Sequence, residues 1–199
     1  MLTADTAKLM ASRSALVLGA SAGAVEALGL LLPVVAEAAR IPVVVVVHLP
    51  PNRPSLLPEL FATRCAASVR EPEDKEPVSA GSIWFAPSNY HLLVERDRTF
   101  SLSVDDPVNF SRPSIDVLFE SAADCFGSNL CGIVLTGAND DAAYGASLIR
   151  RAGGLVIVQD PATAEAPQMP NAAVSRANPQ IIASLREIAD LIYHATKAP

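Results

Sequence analysis

Ala15-Leu16-Val17-Leu18-Gly19-Ala20-Ser21-Ala22-Gly23-Ala24-Val25-Glu26-Ala27-Leu28 is the stretch that decides the fold. Residues 15–20 are apolar without period-two alternation, the pattern of a strand buried on both faces of a parallel sheet. A turn with glycine at each end follows, then helical spacing from Ala24 to Leu32, which the sequence predicts to end at Pro33 because proline has no N–H to donate. Strand, tight turn and helix in that order form the opening unit of a doubly wound α/β sheet.

The same alternation continues outward. Val43–Val47, Leu130–Thr136 and Leu155–Gln159 are further apolar runs of strand length, and Ser114–Phe126, Ala142–Ala152 and Ile181–Ala195 have helical spacing. Ser82–Ala86, His91–Glu95 and Thr99–Ser103 read as short strands, the last two joined by the turn Glu95-Arg96-Asp97-Arg98 as an antiparallel hairpin. The expectation is an α/β protein with a doubly wound, mostly parallel sheet, a small antiparallel hairpin and helices on both faces. Residues 15–195 form one domain on this reading, with 1–14 an N-terminal extension and 196–199 a C-terminal tail.

Composition agrees with a single large core: 199 residues, 50% apolar, 18% charged, net charge −6. So apolar a chain is not disordered. An acidic one lacks the basic face that nucleic-acid binding requires. The longest apolar stretch, Ile41–Val47, is far short of the roughly 20 residues needed to cross a bilayer, so no membrane insertion is expected. The N-terminus carries Asp5, Lys8 and Arg13 and has no apolar signal region, which points to a cytoplasmic protein. Cys65, Cys125 and Cys131 show no metal-ligand spacing, so they read as small buried hydrophobes, and neither a metal nor a cofactor is expected.

Ligands of open α/β sheets sit outside the carboxyl ends of the strands. The first strand ends in Gly19-Ala20-Ser21-Ala22-Gly23, a G-x-S-x-G turn leading into a helix, which is the setting of a nucleophile elbow. The second ends in His48, and the Leu130–Thr136 run ends in Gly137-Ala138-Asn139-Asp140-Asp141. A serine, a histidine and an aspartate at three strand ends are the inventory for acyl transfer. Plainer readings stand beside it: Ser21 as a helix cap, His48 as a structural residue, and Asp140-Asp141 as a cap for the next helix. A dinucleotide loop fails because Ser21 stands where the second glycine of G-x-G-x-x-G belongs. The Tyr193-x-x-x-Lys197 pair of a short-chain dehydrogenase lies too close to the chain's end to serve.

These residues resemble the catalytic domain of the chemotaxis protein-glutamate methylesterases, the CheB family, over nearly the whole chain. The resemblance is carried by Leu18–Gly23, Val47-His48-Leu49-Pro50, Ala86-Pro87-Ser88-Asn89-Tyr90-His91, Ser111-Arg112-Pro113-Ser114-Ile115-Asp116, Val134–Asp141 and Gln159-Asp160-Pro161-Ala162-Thr163 leading to Met169-Pro170. It implies an esterase that removes methyl groups from chemoreceptor glutamates, in some members a glutamine deamidase as well, without a cofactor or metal. It places the nucleophile on Ser21, the base on His48, the aspartate on Asp141, and backbone oxyanion donors at Ala22 and Ala138. Two departures stand out. The family's Ser-Thr-Gly-Gly is Ser21-Ala22-Gly23-Ala24 here, and its Gly-Met-Gly-x-Asp-Gly is Gly137-Ala138-Asn139-Asp140-Asp141-Ala142.

Arg112, Met169 and His91 are the further candidates for the substrate cleft, with a salt bridge to Asp116 or Glu120 the plainer expectation for Arg112. The partner implied is a methylated chemoreceptor or similar signalling protein. The family's phosphoacceptor receiver domain has no counterpart in residues 1–14, so the expectation is constitutive activity or control in trans by a receiver protein or methyltransferase. The alternative is an inactive signalling module that binds a receptor or methyltransferase without turnover.

Overall fold

The computed structural model describes residues 4–38, 40–49 and 53–197. Nine strands and seven helices follow one another along them: α1 Ala4–Ala11, β1 Ala15–Ala20, α2 Ala24–Ala38, β2 Val43–Val47, α3 Leu57–Ala62, β3 Ser68–Arg70, β4 Ser82–Phe85, β5 His91–Val94, β6 Phe100–Ser103, α4 Ile115–Phe126, β7 Leu130–Val134, α5 Ala143–Arg151, β8 Leu155–Gln159, α6 Gln168–Ala177, β9 Ile181–Ala183 and α7 Leu185–Lys197. Seven strands form one sheet in the order β3-β4-β2-β1-β7-β8-β9, every pair parallel, and β5-β6 form a separate antiparallel pair.

Alternate residues of each central strand enter different cores. Leu16 and Leu18 of β1 pack with Val43 and Val45 of β2 under α1, α2, α3 and α7. Val17 packs with Val44 and Val46 on the other face, under α4, α5, α6 and the hairpin. Strands apolar on both sides can exist only in a sheet covered on both sides, which is why these runs lack alternation. Trp84 and Phe85 face opposite cores and are both buried.

The register fixes the site. Ala20 pairs with Val47, and Gly19 with both Val46 and Val134, so β1, β2 and β7 end at one edge. The ladder runs one step further, with His48 N–H donating to Ala20 O and Ser21 N–H to Thr136 O.

Two sequence expectations are corrected. α2 does not end at Pro33 but continues to Ala38. Leu28, Leu31, Leu32, Val35 and Ala36 form one buried stripe, and its burial outweighs the single hydrogen bond that Pro33 cannot make. Ile181–Ala183 is not helical: Ile181 and Ala183 are buried with Ile182 exposed between them, and the segment adds an edge strand to β8. The helix begins only at Leu185 and continues to Lys197. Residues 1–14 contain α1, whose Ala7 and Met10 pack in the same core as Ile188 and Leu191 of α7. Pro50 and Pro51, and residues 198–199 of the expected tail, lie outside the described residues.

Candidate active site

The turn after β1 leaves little room for side chains. A Cβ on Gly19 would lie 2.4 Å from Ile115 Cγ2, and Gly23 (φ +80°) is pressed against Thr136 and Glu165. Gly19 therefore lets α4 come up to β1, and Gly23 supplies the left-handed backbone that turns the chain into α2. Ser21 sits between them, partly exposed, in a cavity of about 650 Å³ that His48 also lines.

His48 Nε2 lies 2.7 Å from Asp141 Oδ2. The Asp141 side chain is fully buried and saturated with donors. Its Oδ2 also accepts from Ile115 N–H; its Oδ1 accepts from Asn109 Nδ2, Ser114 Oγ, and the N–H groups of Asp116 and Ala142. Ile115 and Asp116 open α4, so the carboxylate takes up N–H groups left unpaired at that helix end and faces the positive end of its dipole. Burial alone would raise the carboxyl's pKa. The hydrogen bonds from His48, Asn109 and α4 outweigh it and hold Asp141 below the usual aspartate value, so it is ionised.

An ionised carboxylate only accepts, so the proton on His48 is on Nε2, and Nδ1 carries the lone pair. Nδ1 faces Asn139 Nδ2 at 3.1 Å. The amide's orientation is set by its Oδ1, which accepts Asp141 N–H at 3.3 Å. Asp140 points elsewhere, accepting from Gln168 Nε2 at the surface. Neither Ala22 N–H nor Ala138 N–H donates to any described group, and both residues are exposed.

The remaining candidates divide. Arg112 lines a second opening of about 230 Å³ that shares His48, but its guanidinium donates to Val104 O and Asp105 O, not to Asp116 or Glu120. His91 is buried, with Nε2 on Asp106 O and Nδ1 accepting Ser114 N–H, so it secures the start of α4 and does not line the cleft. Met169 is also fully buried; its N–H donates to Gly137 O, and its side chain fills the space a Cβ on Gly137 would need. It braces the 137–142 loop from below. Ala142, where the resemblance has glycine, takes a left-handed φ of 78°.

Sequence reasoning missed Asn109, the Ser114 hydroxyl and the chemistry of Asn139. The run Ser114-Ile115-Asp116 gave a signal for Ser114, since a helix start beside a strand-end aspartate supplies donors, whereas Asn109 lies in the loop before it and had no such signal. Burial pushes the Cys131 thiol up to about 12, and among the described residues no cluster of His, Cys, Asp or Glu has the arrangement of a metal site. No described helix is long and apolar enough to cross a membrane.

Sequence and fold are both similar to those of known proteins. The model of the CheB methylesterase family matches residues 16–192. A Leptospira interrogans protein is 43% identical over 177 residues, covering 89% of this chain and 92% of that one. Proteins of Trichodesmium erythraeum and Archaeoglobus fulgidus, each named a protein-glutamate methylesterase/protein-glutamine glutaminase, are 34% and 35% identical over 88% of this chain, which spans 51% of either. The crystal structure of the Thermotoga maritima CheB methylesterase catalytic domain superposes with a TM-score of 0.85 at 29% identity, over 91% of this chain and 98% of that one. With the strand-end serine, histidine and aspartate on the same sheet edge and the match running almost end to end, the chain belongs to the CheB methylesterase family.

Proposed function

We infer that this chain hydrolyses γ-methyl esters of glutamate side chains on chemoreceptors or related signalling proteins, releasing methanol, and deamidates glutamine at such positions. The observation that carries the reading is the 2.7 Å His48–Asp141 pair at the cavity that also holds Ser21.

Ser21 Oγ adds to the ester carbonyl carbon while its proton passes to His48 Nδ1. The carbonyl oxygen, now negative, accepts from the N–H groups of Ala22 and Ala138. Collapse breaks the bond to the methoxy oxygen, which takes the proton from Nδ1 and leaves as methanol. A water then gives Nδ1 a proton as its oxygen adds to the acyl carbon; a second collapse breaks the bond to Ser21 Oγ, which takes the proton from Nδ1, and the glutamic acid formed loses its proton to solvent. Asp141 holds Nε2–H throughout and stabilises the imidazolium. With an amide the same steps release ammonia.

A receptor cytoplasmic fragment carrying glutamate methyl esters tests the reading by peptide mass spectrometry. Conversion of methylated glutamate to glutamate is expected; intact esters after incubation with folded protein contradict it.

A further inference from the structure

We propose that Asn139 masks the general base of the free protein and must turn away before Ser21 can be activated. The proposal rests on the esterase reading above. Because Asp141 takes Nε2–H, Nδ1 is the one nitrogen of His48 that can receive the serine proton. A ring nitrogen has a single lone pair, and that of His48 already accepts from Asn139 Nδ2. The bond from Asn139 and a bond from Ser21 Oγ therefore exclude each other. No hydrogen bond joins Ser21 Oγ to His48, or to any other described residue.

The mask is built and oriented. Asn139 Oδ1 is held by Asp141 N–H, so the amide presents its donating end, not its accepting end, to the imidazole. The backbone gives asparagine no special reason to be here. Asn139 has no positive φ, so alanine fits the same backbone. The glycine of the family pattern carries no group that could reach Nδ1. The interaction tightens the resting arrangement of the 137–142 loop, since a single side chain ties the base to the residue that positions it. Turning the Asn139 side chain frees Nδ1 for the serine hydroxyl without disturbing the His48–Asp141 bond.

The test compares the rate at which a p-nitrophenyl alkylphosphonate labels Ser21 in wild type, Asn139→Ala and Asn139→Asp, each checked for folding by thermal melt. Asn139→Ala is expected to label faster, by about 2- to 10-fold, the worth of one neutral hydrogen bond. Asn139→Asp is expected to label more slowly, because a carboxylate beside Nδ1 favours a proton there and removes the lone pair. ¹⁵N spectra of histidine-labelled protein should show the Nδ1 resonance of His48 losing its accepted hydrogen bond in Asn139→Ala. Equal or slower labelling of Asn139→Ala overturns the mask, as does a rise in both variants.

Methanol release from the receptor fragment separates the two proposals. Faster labelling of Asn139→Ala without methanol from any form keeps the mask and removes the substrate. Methanol from wild type with labelling unchanged by Asn139→Ala keeps the substrate and removes the mask.

Discussion

Asp116 lies beside Asp141, and Asn109 Nδ2 donates to both carboxylates, at 2.9 Å and 3.0 Å. The two acids nevertheless differ in charge behaviour. Asp141 collects enough donors to stay ionised. Asp116 has Gly145 N–H and the Asn109 amide, and its burial, helped by the charge of Asp141, prevails and pushes it up to about 6. Between the ordinary aspartate pKa of about 4 and about 6, the folded protein therefore holds a proton that the unfolded chain has released, and stability falls as pH rises through that window. Asp141 acts in the opposite sense, contributing stability that is lost as pH falls below the usual aspartate range. Asp116→Asn should flatten the fall: denaturant unfolding at pH 4.5 and pH 7 is expected to differ by about 2 kcal/mol less than in wild type. An unchanged difference would mean that Asp116 ionises normally.

At the scale of elements, the site depends on how closely α4 and α5 approach. A Cβ on Gly145 would lie 2.5 Å from Phe119 Cβ and 3.1 Å from the Asp116 backbone, in the place where Gly145 N–H meets the Asp116 carboxylate. Gly145→Ala should therefore cost toward the upper end of about 1–3 kcal/mol in overpacking, because the clash is with backbone and a Cβ, and after the roughly 1 kcal/mol of helix propensity it gains it should still lower stability. A denaturant midpoint at or above that of wild type would contradict this packing account. The elements best read from the sequence are those whose burial is uniform: β1, β2 and β8 occupy the residues their apolar runs predict. The misread ones are settled by tertiary burial. Pro33 is a local stop signal overridden by the stripe from Leu28 to Ala36, and Ile181–Ala183 is too short for its period to separate strand from helix.

Across the whole molecule, β1 is where the sheet order reverses, with β2 on one side and β7 on the other, and the three strands deliver Ser21, His48 and the Asp141 loop to a single edge. That much was legible because strand-end positions in such a sheet can be read from apolar runs alone. Strand ends alone left Asp140 and Asp141 open, since both follow the same strand; the resemblance pointed to Asp141, and it is Asp141 that faces His48. Asn139 was legible only as a departure from a pattern, because its meaning depends on which imidazole nitrogen Asp141 occupies. The central claim is that Ser21 and His48 act as one unit on an ester. Methanol release from a methylated receptor fragment, measured for wild type, Ser21→Ala, His48→Ala and the double variant, tests it most directly. The account predicts a loss on the order of 10⁴-fold for each single variant and no further loss for the pair. Multiplying losses, or methanol release that survives Ser21→Ala, would contradict it.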